Sequence, residues 1–104
     1  MVVFAKVDHS AAAANVGMTL RPTIVVIFGS PKGGTPLMQS AQTMGIDLPL
    51  RALVWQDASG ATWLSYNDVR WLAKRHGAGP DVDANLQRIA AVLEVVATAA
   101  TATR

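Results

Sequence analysis

The sequence contains no cysteine, and this absence removes several classes of chemistry at once. Without thiols the chain cannot form a disulfide, use a cysteine nucleophile, or hold an iron–sulfur cluster or a cysteine zinc site. The absence also fits a reducing compartment, and the first ten residues, MVVFAKVDHS, lack the charged and long apolar regions of a signal peptide. The sequence therefore predicts a cytoplasmic protein without a metal or a cofactor.

Charged residues are scarce as well: they make up 15% of the chain, against roughly 25% in an average domain. No stretch clusters Lys and Arg between aromatic residues, as nucleic-acid binding favours. Long apolar runs are also missing, because the segment from Ile89 to Thr103 is interrupted by Glu94 and is too short to span a bilayer. We expect neither a nucleic acid nor a membrane as a partner.

What the chain has in excess is apolar side chains, which make up 51% of its 104 residues. A chain of this length forms one domain and leaves a large share of its surface exposed. The apolar excess therefore needs a surface to be buried against, and a homodimer is the expected solution.

Two strands and a short helix are predicted near the start of the chain. Residues 2–8 (VVFAKVD) read as a strand whose Lys6 favours an edge position, and residues 10–17 read as a helix capped by Ser10. Residues 23–28 (TIVVIF) read as a further strand. Because this segment is apolar on both faces, it is expected to be central and covered on both sides.

The clearest pattern is a hairpin, in which RALVWQD and ATWLSYN flank a turn from Asp57 to Gly60. Asp at the first position and Gly at the fourth are typical of a type I turn closed by a glycine bulge. This turn places Trp55 opposite Trp63 and leaves both faces of the hairpin apolar. Helices can cover one face, and more helix or a second subunit must cover the other.

Three more helices are expected. Thr35 and Pro36 are typical of a helix start, with an end near Met44, and a shorter helix follows a cap at Asn67 or Asp68. From Asp81 onward one apolar stripe indicates a long helix, whose Ala/Thr end is expected to fray. The stripe consists of Val82, Leu86, Ile89, Leu93 and Val96. We thus divide the chain into an α+β part at 1–79 and a C-terminal amphipathic helix at 80–104, which belongs to the same domain or to a dimer contact.

The segment GSPKGGTPLM is the first candidate site. Gly29 and Gly34 have the spacing of a Walker A loop, but Thr35-Pro36 stands where that loop requires Lys-Ser/Thr, and the dinucleotide pattern is absent. Lys32 and the amides of Gly33, Gly34 and Thr35 could still bind a small anion at a helix N-terminus. The alternative is that these residues only shape a corner between a strand and a helix.

The second candidate is His9, which closes the first predicted strand and could act as a general base. An enzyme built on His9 would need the Gly29–Thr35 corner nearby to hold an oxyanion. The alternative is a structural histidine. His76 lies in a basic helix end and is expected to be solvated, and the acidic residues mostly occupy turn and cap positions.

A set of features spread over about residues 3–76 resembles the prokaryotic family called domain of unknown function 302. The features are Phe4 and His9, the step Arg21-Pro22, the corner from Phe28 to Pro31, the run from Thr35 to Met38, and Leu48-Pro49-Leu50. The resemblance implies a small α+β domain, often dimeric, with helices on an antiparallel sheet, although a mixed sheet stays open. It implies no activity, substrate or catalytic residue.

Members of that family usually carry a helical segment before the first strand, so the C-terminal helix or a partner is expected to cover the face which that segment would pack on. The leading hypothesis is a non-enzymatic dimerising domain that binds a small anion at Lys32, Gly33, Gly34 and Thr35. The alternative is an enzyme with His9 as its general base. A nucleic-acid binder is the third hypothesis.

Overall fold

The computed structural model describes residues 1–101, which form a four-stranded sheet and four α-helices. The strands β1 (Val2–Asp8), β2 (Thr23–Gly29), β3 (Leu50–Gln56) and β4 (Thr62–Tyr66) lie side by side in chain order. The helices are α1 (His9–Asn15), α2 (Pro31–Ser40), α3 (Val69–Arg75) and α4 (Asp83–Thr101), with short 3-10 helices at Gln42–Ile46 and Pro80–Val82. Every neighbouring pair of strands is antiparallel. The α+β class is confirmed, and the alternative of a mixed sheet is wrong.

The hydrophobic core lies on one face of the sheet. Phe28 of β2 and Leu50 of β3 are paired in the register and are both buried. They pack in one cluster with helix and loop side chains, namely Leu37, Met44, Val69, Leu72, Ala73, Val82, Leu86 and Leu93. Since Leu86 and Leu93 belong to α4, the C-terminal helix shares this core with the rest of the chain.

The predicted stripe of α4 is confirmed over most of its length. Val82, Leu86 and Leu93 are buried, and Ile89 packs against the core while partly exposed. Val96 is 47% exposed, so the last residue of the stripe is not buried in the core. The helix continues to Thr101, and the last three positions of the predicted frayed end, 102–104, lie outside the described residues.

The hairpin forms as the sequence predicts. Trp55 pairs with Trp63 in the register, and the turn closes with a hydrogen bond from the Gly60 N–H to the Asp57 carbonyl oxygen. Gly60 has φ +89°, a conformation that side chains other than glycine's rarely allow. The Asp57 carboxylate accepts hydrogen bonds from the Ser59 and Ala61 amides and from the indole Nε1–H of Trp63. These bonds, with that of Trp63 first and that of the Ser59 hydroxyl second, lower the pKa of Asp57 to about 2.

The strand β2 is central in the sheet, but the hydrophobic core covers only one of its faces. Phe28 is buried and Val26 packs against the core, whereas Val25 and Ile27 on the opposite face are only half-buried. The expectation that both faces are covered is therefore wrong for residues 1–101. We call this second surface of the sheet the open face. Its residues are Ala5, Val7, Thr23, Val25, Ile27, Arg51, Leu53, Trp55, Trp63 and Ser65, and none of them is buried.

Two helix starts differ from the prediction. The cap of α1 is Asp8 rather than Ser10: its carboxylate accepts from the Ala11 amide and from the Ser10 hydroxyl. The helix α2 begins at Pro31, four residues before the predicted Thr35. Pro31 meets the same condition as Pro36, because a proline at the first helical position lacks only an N–H that has no helical partner.

The predicted end of α2 near Met44 is also wrong. The helix ends at Ser40 because Ala41 is extended, with φ −143°, and a separate 3-10 helix carries Met44 into the core. By contrast, the predicted start of α3 is confirmed. Of the two predicted caps, Asn67 and Asp68, the structure has Asp68, whose side chain accepts a hydrogen bond from the Arg70 amide.

We expect the Asp57 carboxylate to stabilise the fold above about pH 4 and to lose that effect as the pH falls toward about 2, because folding lowers its pKa. An NMR titration of its carboxyl carbon should give a midpoint near 2. In Trp63→Phe the midpoint should rise, since the strongest cause of the lowering is removed. A wild-type midpoint at the ordinary value of 3.8 would contradict this account.

Candidate binding site

A pocket of about 250 Å³ opens where β2 ends and α2 begins. We call it the corner pocket. Its walls come from the start of β1, from the end of β2 and the corner after it, and from α2. The loop before β3, the first residue of β3 and one residue of α4 complete them. The lining residues are Met1, Phe4, Gly29, Ser30, Pro31, Gly33, Gly34, Thr35, Leu37, Met38, Leu48, Pro49, Leu50 and Ile89.

Local sequence explains how the corner is built. Ser30 is extended, with φ −141° and ψ 126°, and Pro31 starts the helix directly after it. Gly29 lies between two walls of the pocket: a Cβ added there would stand 3.6 Å from the Pro49 Cβ and 3.9 Å from the Phe4 ring, both ordinary van der Waals contacts. The strand therefore turns into the helix within one residue, and the pocket lies beside that turn.

The predicted anion-binding residues lie in the first turns of α2 and not in a loop. The amides of Gly33 and Gly34 donate to the Ser30 carbonyl oxygen at 3.0 and 2.8 Å. Two of the three amides expected to face an anion are thus engaged within the helix. Gly33, Gly34 and Thr35 line the corner pocket, whereas Lys32 is exposed and lies outside its lining. Gly33, Gly34 and Thr35 thus share the mainly apolar corner pocket, and Lys32 does not share it with them.

The chemistry of the corner pocket is mainly apolar. None of the side chains named in its lining is charged, and the polar ones are the hydroxyls of Ser30 and Thr35. The Ser30 side chain makes no capping hydrogen bond to α2, so its hydroxyl is not committed to the helix end. Such a pocket can exclude water from an apolar ligand and offer it a few hydrogen-bonding groups.

His9 lies far from the corner pocket. It is exposed at the start of α1, next to Asp8, which pairs with Ile24, whereas Gly29 pairs with Val2 at the other end of the same two strands. The span of β2 between Ile24 and Gly29 is roughly 17 Å at about 3.4 Å per residue. The hypothesis that His9 and the Gly29–Thr35 corner form one site is therefore wrong in its geometry.

His76 is not solvated, contrary to the prediction. Its Nε2 lies 2.5 Å from Asp47 Oδ2 and its Nδ1 lies 2.9 Å from the Thr43 hydroxyl, with 10% of the side chain exposed. Arg75 reaches the same carboxylate at 3.5 Å. The hydrogen bond from His76 is the main cause that lowers the pKa of Asp47. These contacts tie the end of α3 to the 3-10 helix that follows α2.

Sequence patterns gave no sign of this cluster. Asp47 and His76 are 29 positions apart. His76 is already explained as a group at a helix C-terminus, and Asp47 as a common turn residue. Within residues 1–101 no group of three His, Cys, Asp or Glu side chains is placed to hold a metal ion. Across the same residues, no helix is long and apolar enough to cross a membrane.

Comparison with known proteins bears on the family and the fold. A family model described as "Domain of unknown function DUF302" matches residues 1–96, which extends beyond the resemblance at about 3–76. A solved structure, described as the crystal structure of an uncharacterized conserved protein DUF302 from Bacillus stearothermophilus, superimposes with a TM-score of 0.78. It is 16% identical and covers 91% of this chain and 73% of its own, so the likeness is one of fold.

Two similar proteins come from Brucella. The fluoride-specific ion channel FluC 1 of Brucella suis biovar 1 (strain 1330) is 53% identical over 83 residues, which are 80% of this chain and 33% of the relative. The protein of the same name from Brucella abortus biovar 1 (strain 9-941) is 53% identical over 83 residues, 80% of this chain and 31% of the relative. The chain thus spans about a third of the length of the curated relatives it matches.

The two histidines should differ sharply in their effect on stability. We expect His76→Ala to lower the free energy of unfolding by about 1–2 kcal/mol, because it removes a hydrogen bond to a carboxylate and one to a hydroxyl. His9→Ala, at an exposed position, is the matched control and should change it by less than about 0.5 kcal/mol. Urea unfolding at neutral pH measures both. Equal effects of the two substitutions would show that the Asp47–His76 contact contributes nothing.

Proposed function

The chain belongs to the DUF302 family of domains of unknown function, and from this premise we propose that it is a non-enzymatic binding module that works as a homodimer. The single observation that carries the proposal is the open face, a mainly apolar sheet surface in which none of the residues is buried. Seven of its ten residues are apolar, and its polar members are Thr23, Arg51 and Ser65.

Two stacked tryptophans lie at the hairpin end of the open face. The rings of Trp55 and Trp63 stack with their centroids 6.4 Å apart. The indole N–H of Trp55 donates to the Ser65 hydroxyl at 2.9 Å, and that of Trp63 donates to Asp57 at 2.7 Å. Because both polar edges are satisfied within the chain, a partner can cover the ring faces without leaving an N–H unpaired.

The shape of the open face suits a second copy of the same sheet. Four strands about 4.8 Å apart and five to seven residues long give a surface of roughly 20 by 20 Å. This area, about 400 Å², is that of the largest apolar patch on a typical monomer, which is often functional. Two such faces related by a two-fold axis would pack as a sandwich of sheets, in which the open face of one subunit contacts the open face of the other.

Dimerisation through the open face can be tested with two exposed tryptophans. We expect wild type to sediment with the mass of two 11.0 kDa chains. Trp63→Lys should sediment as one chain, because it places a charge in the buried interface. Trp71→Lys is the control, since Trp71 is 58% exposed on α3, outside the open face, and Trp63 is 52% exposed on it. Sedimentation velocity over a range of concentrations measures both.

A wild-type protein that stays monomeric at every concentration would overturn the homodimer. Dissociation by Trp71→Lys with no effect of Trp63→Lys would keep a dimer but move it to another surface. Both variants need a folded far-ultraviolet circular dichroism spectrum for the comparison to hold.

The binding part of the proposal concerns the corner pocket, where Gly33, Gly34 and Thr35 meet apolar walls. A small anion is another candidate ligand, which would bind at the first turn of α2 beside the exposed Lys32, outside the lining of the corner pocket. One observation favours it: the Brucella relatives are named fluoride-specific ion channels, and fluoride is a small anion. Only about a third of those relatives corresponds to this chain, so their activity as whole proteins does not carry over directly.

The anion is tested by a thermal-shift titration with sodium fluoride against sodium chloride. If the corner binds fluoride, fluoride alone should raise the unfolding temperature, and a concentration of about 100 times the dissociation constant should add roughly 2.7 kcal/mol of stability. Lys32→Ala should abolish the shift, and Lys74→Ala, on α3, should retain it. Equal shifts with fluoride and chloride, or a shift that survives Lys32→Ala, would contradict the anion site.

A further inference from the structure

We infer that the corner pocket binds a compact, uncharged and largely apolar molecule of about one or two rings that carries a hydrogen-bonding group. The inference rests on the proposed binding function and names the class of ligand. Three independent observations support it: the volume of the pocket, the chemistry of its walls, and two glycines that neither packing nor backbone conformation requires.

The volume sets the size of the ligand. At about 250 Å³ the corner pocket is smaller than the roughly 300–1,000 Å³ of pockets for drug-sized molecules. It is larger than the apolar cavity of about 150 Å³ that holds one benzene in a well-studied engineered protein. A ligand of about one or two rings lies between these limits.

The walls set the charge of the ligand. Phe4, Leu37, Leu48 and Ile89 present hydrocarbon, and no charged side chain belongs to the lining of the pocket. An ionised group buried there would lose its hydration without gaining a charged side chain as a partner. The hydroxyls of Ser30 and Thr35 are the side-chain groups able to bond to a neutral donor or acceptor on the ligand.

Gly33 is not required by the fold. It lies in α2, its φ is not in the left-handed region, and a Cβ added there would meet only the Ile89 Cδ1, at 4.0 Å. That distance is an ordinary van der Waals contact. Alanine would therefore fit, and glycine inside a helix costs about 0.5–1 kcal/mol relative to alanine.

Gly34 repeats the same pattern one position later. An added Cβ would meet the Leu48 Cδ1 at 3.8 Å and the Met38 Cε at 4.0 Å, again without a clash. The side chains nearest to these two methyl groups, those of Ile89, Leu48 and Met38, all belong to the lining of the corner pocket. The missing side chains thus leave room in the pocket at a cost to the helix, and a ligand that occupies the room accounts for the cost.

The test compares wild type with Gly33→Ala/Gly34→Ala. Gly45→Ala is the control, because an added Cβ there meets the Met38 Sδ at 3.5 Å and Gly45 does not line the pocket. The probes are phenol and indole, with benzoate and sodium fluoride as the charged comparisons. Calorimetry measures affinity, and the methyl NMR signals of Met38 and Ile89 report where a probe binds.

We expect phenol or indole to shift the Met38 and Ile89 methyl signals of wild type and to bind at least tenfold more tightly than benzoate. The double variant without ligand should melt roughly 4–16 °C higher than wild type, because two helical glycines become alanine. Its affinity for the same probe should fall at least tenfold. Gly45→Ala should keep the wild-type affinity.

Three results would overturn the inference. If the double variant melts below wild type, the fold itself needs the glycines. If it binds the probe as tightly as wild type, their room is not used by the ligand. If neither phenol nor indole perturbs Met38 or Ile89, the pocket does not take this class of molecule. If fluoride then binds through Lys32, the proposed binding function stands and only the ligand class is rejected. If no probe binds and wild type is a monomer, the proposed function and the inferred ligand class are both rejected.

Discussion

The packing of Phe28 and Leu50 beneath the helices is the contact on which the rest of the structure depends. These two side chains are paired across β2 and β3, and they join the sheet to α2, α3 and α4 in one cluster. Burial of each large apolar side chain contributes about 1.5–3 kcal/mol. Because side chains alternate along a strand, gathering the helices on this face leaves the alternate residues, Val25 and Leu53 among them, on the open face.

Both proposed binding surfaces follow from this one-sided core. The open face is what the helices leave uncovered, and the corner pocket lies where the chain leaves the sheet to reach the covered face. At that corner Ser30 alone separates β2 from Pro31, the first residue of α2. Gly33 and Gly34 line the pocket there and add no side chain to it.

Local patterns were sufficient wherever one short segment carries the whole physical reason. The hairpin from β3 to β4 was predictable in its register because Asp57 and Gly60 allow one turn type. The apolar stripe of α4 predicted Leu86 and Leu93 as core residues because the helical repeat depends on nothing outside the helix. The start of α2 was missed because Pro31 and Pro36 satisfy the same local rule, and only the geometry of the Ser30 corner selects the first.

The sequence by itself determined the strands and helices along the chain and an excess of apolar surface, since these depend on periodicity, turns and composition, and its resemblance to the family implied the class of fold. Only the tertiary structure decided which residues share a site. It separated His9 from the Gly29–Thr35 corner along two antiparallel strands, and it joined Asp47 to His76 across 29 positions. The reason is that distances between remote residues are fixed by how the sheet and helices pack on Phe28 and Leu50, and no local rule contains that packing.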